Sequence, residues 1–303
     1  MHAFRNTIIV SCLFVLGIGQ SHAQQQKGYP PRLDGSEARV YKKTPQGELQ
    51  LYIYRPAKGV EPTNSAIVFF FGGGWKSGTP KQFEQHCKYL ASRGMVAITA
   101  DYRVLTRRQT KAKECVADAK SAIRWVRIHA KELGVDPDRV VAGGGSAGGH
   151  IAACTGVIDG FDDANDDLKI SAKPNAMALF NPAVALAPVE GKLPLRKEVG
   201  PTLPERMGVN PIELSPVHHI SKGVPPTVIF HGKGDTTVLF ESVEWFDGRM
   251  KSAGNICVLH GYADQPHGFF NHGRSENIYY DKTIAALDSF LVEHGFLNKR
   301  NQK

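Results

Sequence analysis

Gly144-Gly145-Ser146-Ala147-Gly148 places a serine in the pattern G-x-S-x-G, between the apolar run Arg139-Val-Val-Ala142 and His150-Ile-Ala-Ala-Cys154. Between a strand and a helix, that pattern forms a sharp turn that pushes the serine hydroxyl clear of the sheet. Neighbouring side chains would collide in so tight a turn, which calls for glycine at 144 and 148. Taken alone, the run also suits a glycine-rich loop that cradles phosphate. A serine hydroxyl is a weak nucleophile near neutral pH. It needs a base in hydrogen-bonding reach, and that base needs a carboxylate to fix its tautomer.

The remaining pieces follow in a telling order. Ser65-Ala-Ile-Val-Phe-Phe-Phe71 reads as a buried strand and runs straight into Gly72-Gly73-Gly74-Trp75. Backbone N–H groups of a glycine loop after an early strand can meet the oxyanion of acyl transfer without obstructing substrate. Downstream, Pro226–Gly232 reads as a parallel strand whose exit turn carries Asp235, at the strand end where open α/β sheets gather catalytic groups. Ile256–Tyr262 reads as the last strand, followed by Pro266-His267-Gly268-Phe269. Twelve histidines compete for the role of base. His218 and His219 come too early, His231 and His260 fall in strands, and His272 is the rival five residues beyond His267. His267 is favoured because it follows the strand sooner and Gly268 frees its loop. Asp235 is favoured over Asp264, which would have to fold back under a histidine three residues away.

With these motifs the chain resembles the α/β-hydrolases of the hormone-sensitive-lipase-like and carbohydrate-esterase group, often labelled BD-FAE-like. The resemblance rests on Gly72-Gly73-Gly74-Trp75, Asp101-Tyr102-Arg103, Gly144–Gly149, Gly234-Asp235-Thr236 and His267-Gly268-Phe269, and covers residues 37 to 295. It implies Ser146 as nucleophile, Asp235 as acid, His267 as base, and the amides of Gly73, Gly74 and Ala147 as oxyanion donors. Two positions depart from the pattern. Phe71 stands where such enzymes usually carry a histidine that braces the oxyanion loop, so packing must hold this loop. Gly145 stands where lipase-like members often carry an acid.

The first 23 residues read as a cleavable export signal: Arg5, the apolar stretch Ile8–Gly17, and Ser21-His22-Ala23 before Gln24. The stretch is too short to span a bilayer, so no membrane anchor is expected, and the mature protein is expected to be secreted or periplasmic. Residues 24 to 36 read as a flexible lead and 37 to 297 as one hydrolase domain. A formal charge of +8 is dispersed, with no basic face interleaved with aromatics, so no nucleic-acid partner is expected. Attraction to acidic polymers is the most that such a charge implies. Cys87, Cys115, Cys154 and Cys257 follow no zinc spacing. Cys154 is expected as a buried thiol, and a Cys87–Cys115 bridge is admissible in an exported chain.

Apolar strands alternating with helical patterns argue a doubly wound α/β fold, mostly parallel, with an antiparallel edge hairpin around Pro45-Gln46-Gly47. Thr79-Pro80 with Gln82 reads as a helix start in which Gln82 completes a capping box. Long amphipathic helices are expected over 113–133 and 279–293. Asp118 on the first of these is placed to pair with Arg103. Residues 181 to 223 carry seven prolines and break the rhythm, which suits a small cap over the serine. The reading is a serine ester hydrolase on a small-molecule or polysaccharide ester, of short acyl groups on carbohydrate, requiring no metal or cofactor. An amide hydrolase on the same triad and a non-catalytic carbohydrate binder are the alternatives. Oligomeric state is not legible.

Overall fold

The computed structural model describes residues 28–300. The expected export signal therefore lies outside the described residues. Eight strands form one sheet: β1 (Glu37–Thr44), β2 (Gly47–Tyr54), β3 (Ala66–Phe70), β4 (Val96–Ala100), β5 (Val140–Gly145), β6 (Ala176–Phe180), β7 (Thr227–Gly232) and β8 (Cys257–Tyr262). Their order across the sheet is β1-β2-β4-β3-β5-β6-β7-β8. The β1–β2 hairpin is antiparallel, and β2 also meets β4 antiparallel. The remaining five neighbour pairs are parallel. This is the doubly wound sheet with an antiparallel edge that the sequence pattern predicts.

Strands β3 to β7 are buried along their whole length, which explains why they read as unbroken apolar runs rather than alternating ones. Helices cover both faces: α1 (Glu84–Ser92), α2 (Leu105–Arg108), α3 (Ala112–Ile128), α4 (Ala130–Leu133), α5 (Ala147–Val157), α6 (Leu203–Met207), α7 (Glu241–Ser252) and α8 (Ile278–Glu293). Alternation along β3 shows the two sides. Val68 and Phe70 pack with Cys115 and Ile123 of α3 and Ile151 of α5. Ile67 and Phe69 pack with Cys87 and Leu90 of α1 and Leu287 of α8. Cys87 and Cys115 thus lie on opposite faces of the sheet. The admissible bridge between them does not form, and all four cysteines are free and buried.

Two other expectations are corrected, and one helix is added. The helix expected over 113–133 is two, because His129 turns its Nδ1 back toward the Trp125 carbonyl (2.9 Å) and ends α3 before α4 begins. Helix α7 was not anticipated, although Val243, Phe246 and Met250 form its buried stripe. Finally, the end of the supposedly flexible lead is tied down. Tyr29 hydrogen-bonds the Asp101 carboxylate beneath the Arg107 guanidinium, and Leu33 is buried in the core.

The chain leaves β3 toward β4 on one side and leaves β5 toward β6 on the other. The carboxyl ends of β3 and β5, adjacent in register at Phe70 and Gly144, therefore open a crevice where the strand order reverses. Gly72–Trp75 and Ser146 emerge there side by side. Residues 181–223 return over this end of the sheet, with Leu203, Met207, Leu214 and Val217 facing inward to the core.

Candidate active site

Ser146 links β5 to α5 with φ 55° and ψ −119°, a left-handed backbone that side chains other than glycine seldom adopt. The surroundings impose it: Ser146 N–H donates to the Phe180 carbonyl (2.9 Å), while its own carbonyl receives His150 N–H (2.9 Å). The flanking glycines are required by contact. A Cβ at Gly148 would stand 2.0 Å from the Phe70 carbonyl oxygen, and one at Gly144 would stand 2.5 Å from the Gly148 backbone. Gly145 has its own reason. A Cβ there would meet the Phe270 ring at 2.7 Å, so the acid found at this position in lipase-like members has no room.

Three side chains distant in sequence converge here. His267 Nε2 lies 2.9 Å from Ser146 Oγ, and His267 Nδ1 lies 2.6 Å from Asp235 Oδ2. Asp235 is buried in the turn after β7, with its other oxygen receiving Thr237 N–H (2.8 Å) and Val238 N–H (3.0 Å). Burial pushes its carboxyl up, but hydrogen bonds from His231 and His267 and the Val238 amide more than reverse this and hold it well below the usual carboxylate range. The two rival residues stand apart. His272 packs edge-on against Tyr280, and Asp264 is exposed on the turn before His267. His231 is buried and hydrogen-bonded to the Val238 carbonyl (2.9 Å), as a packed strand histidine should be. It also approaches Asp235 Oδ2 at 3.4 Å, which its position in a strand did not announce.

The glycine loop faces the serine. Gly73 (φ 128°) and Gly74 (φ 63°) adopt backbone that needs glycine, and a Cβ at Gly73 would overlap the Ser77 carbonyl oxygen at 2.2 Å. Among the described residues, the N–H groups of Gly73, Gly74 and Ala147 donate to no protein acceptor. Phe71 stacks on Tyr102 with centroids 4.2 Å apart, and the Tyr102 hydroxyl donates to the Phe71 carbonyl (2.7 Å). Packing does replace the missing histidine, as expected, but hydrogen bonds share the work. Trp75 Nε1–H donates to His150 Nδ1 (3.0 Å), whose Nε2–H donates to the Leu214 carbonyl (2.7 Å). Burial pushes the His150 imidazole down to about 4, which keeps it neutral and able to accept from Trp75.

Gln82 is the largest correction at the site. Its side chain does not close a capping box. Instead Gly72 N–H donates to Gln82 Oε1 (2.6 Å), and Gln82 Nε2 donates to Asn271 Oδ1 (2.8 Å). Asn271 Nδ2 in turn donates to the Gly268 carbonyl (2.8 Å), and Gly268 N–H donates to Asn181 Oδ1 (2.9 Å). One rail of amides thus joins the oxyanion loop to the histidine loop. No local motif marks it, because its members are scattered from residue 82 to residue 271. Ser146 and His267 open onto a cavity of about 590 Å³, walled by the glycine loop and by Leu195 and Val199 of the 181–223 insertion.

The BD-FAE family profile matches residues 51–250. This chain belongs to the BD-FAE family. The match includes Ser146 and Asp235 and stops short of His267, which the geometry supplies. Among solved structures, Thermogutta terrifontis esterase 2 phosphonylated by sarin is 51% identical, with a TM-score of 0.85 over 90% of this chain and 99% of that one. The same esterase with propionate bound is 51% identical, with a TM-score of 0.84 and the same coverage. This likeness makes the fold that of the α/β-hydrolase esterases. The probable carboxylic ester hydrolase LipM of Mycobacterium tuberculosis is 28% identical over 76% of this chain and 55% of its own. The chain spans about half the length of the curated relatives it matches.

Proposed function

We propose that this BD-FAE-family protein is a serine carboxylic-ester hydrolase working through an acyl-enzyme. His267 Nε2 takes the proton of Ser146 Oγ as the oxygen attacks the ester carbonyl. The N–H groups of Gly73, Gly74 and Ala147 receive the developing oxyanion, each worth on the order of 3 kcal/mol in the transition state. Asp235, held ionised, keeps Nδ1 protonated and stabilises the imidazolium. His267 then gives its proton to the departing alcohol, and water repeats the sequence on the acyl group. The observation that carries this reading is the 2.9 Å and 2.6 Å pair of contacts through His267, facing three undonated amides.

The relative solved with propionate supports a short acyl group. We extend the reading to short acyl groups, acetyl above all, on carbohydrate, and to an exported enzyme; both rest on the sequence features of residues 1–23 and the glycine-tryptophan loop. Titration with paraoxon tests the chemistry. One phosphoryl adduct per chain on Ser146, with parallel loss of p-nitrophenyl butyrate hydrolysis, is expected, and Ser146→Ala should show neither. Hydrolysis that survives in Ser146→Ala would overturn the assignment. Acetate release from acetylated xylan tests the carbohydrate, and fractionation of expressing cells tests export.

A further inference from the structure

The wall of the catalytic cavity carries three arginines, Arg196, Arg206 and Arg274, and no aspartate or glutamate. They are not equivalent. Arg196 is exposed and has its own counter-ion in Glu198 at 3.4 Å. Arg206, on α6 of the insertion, is half-buried, and its Nη1 comes within 4.0 Å of where a Cβ on Gly74 would stand. Its neighbour Glu205 turns instead to Lys111 at 3.4 Å, and no described residue pairs with the Arg206 guanidinium. Arg274, exposed at the rim, lies on the other catalytic loop, with Nη1 within 3.6 Å of the corresponding point on Gly268. It donates one long bond, to the His267 carbonyl at 3.3 Å. One guanidinium thus borders the oxyanion loop and another borders the histidine loop, with no carboxylate of the protein between them.

Hydrolysis of a neutral ester needs neither charge. A guanidinium at a cavity wall without a counter-ion is a fork of donors shaped for a planar carboxylate, and at Arg206 partial burial strengthens that pairing. The net charge of +8 adds long-range attraction for an anion. Resting on the esterase reading, we propose that the cavity selects esters that carry a carboxylate of their own, held by Arg206 and Arg274 while the ester carbonyl faces Ser146. Acylated acidic sugars are the class in which this preference and the carbohydrate reading meet.

Two matched pairs of substrates test it. In one pair the charge is on the alcohol: 4-acetoxybenzoate against its methyl ester. In the other it is on the acyl group: mono-p-nitrophenyl terephthalate, whose rigid ring keeps its carboxylate from attacking its own ester, against the corresponding methyl p-nitrophenyl diester, following p-nitrophenol. After correction for the hydroxide rates, the anionic member of at least one pair should show about tenfold higher kcat/KM at low ionic strength, falling severalfold in about 0.5 M salt. Arg206→Gln and Arg274→Gln should each cut the ratio about fivefold, whereas Arg206→Lys keeps most of it. The ratio is read within one preparation, so loss of folded enzyme cancels. Equal or slower turnover of the anionic member in both pairs overturns the proposal and leaves the esterase reading standing. Failure to cleave any of the four overturns both.

Discussion

Two of the buried carboxylates differ in the company they keep, Asp118 on α3 and Asp235 after β7. Asp118 is closed in by a guanidinium and an ammonium. Arg103 grips it through Nη2 (2.7 Å) and Nε, and Lys42 Nζ lies at 2.8 Å. Asp235 is met by histidines, at 2.6 Å from His267 and 3.4 Å from His231, and by two backbone amides. Both are compensated, so neither charge is wasted on burial. The difference lies in the partner. Asp118 pins α3 to the β1 edge and the segment after β4 and has no face toward the cavity. The main partner of Asp235 is part-exposed and faces the serine, and in the mechanism proposed above it carries the proton between Ser146 and the leaving alcohol. A permanent partner makes a buried acid structural; a titratable one makes its charge available for chemistry.

The contrast breaks most sharply by substitution. Asp235→Asn should lower kcat per folded molecule by roughly 10⁴-fold, because the amide no longer fixes the His267 tautomer. Asp118→Asn should act on stability instead. Removing one member of a buried ion cluster costs about 3 kcal/mol or more, which denaturant unfolding would read directly, while kcat per folded molecule stays near wild type. Equal losses of activity in the two variants would erase the distinction. Gln82→Ala sits between them. It frees Gly72 N–H and cuts the rail to Asn271, so the oxyanion loop drifts relative to the histidine loop. A kcat roughly 10- to 100-fold lower, with KM little changed, is the expected result.

That middle case shows where sequence reading stops. Ser146, Asp235 and His267 were legible because each sits at the end of an apolar strand, and strand-end motifs are local. The antiparallel hairpin, the parallel core strands and the Asp118–Arg103 pair were legible for the same reason, or through nearness in sequence. Gln82 looked like a helix cap because its local setting permits one. Its actual partners are Gly72 and Asn271, and the second is brought near only by the finished sheet. Gly145 departs from the lipase-like pattern because Phe270, distant in sequence, fills the space an acid would need. The cysteine pairing failed on a global property too, since residues 87 and 115 belong to different faces of the sheet. His231 and Arg206 belong to this group: their residue types carry no signal until the loops they border are placed.

The smallest effect concerns a third way of burying an ionisable group, with no counter-charge at all. His86 on α1 is fully buried among Phe69, Phe83, Phe180, Phe270 and Tyr280, and neither ring nitrogen finds a partner among the described residues. Burial, with a smaller contribution from nearby His272, pushes its imidazole down to about 3. The folded state therefore keeps His86 neutral where the unfolded chain, near 6.5, takes up a proton. Stability is complete above pH 6.5 and declines as pH falls toward 3, by as much as about 1.4 kcal/mol per pH unit for this one group. His86→Leu removes that uptake and keeps the apolar packing. Denaturant unfolding at pH 6 and pH 4 should show a wild-type loss between the two that the variant lacks in part, since His150 contributes a similar slope of its own. An identical pH slope in both proteins would mean that the unfolded chain takes up no extra proton at His86, and that aromatic enclosure leaves this ring free to ionise in the folded state.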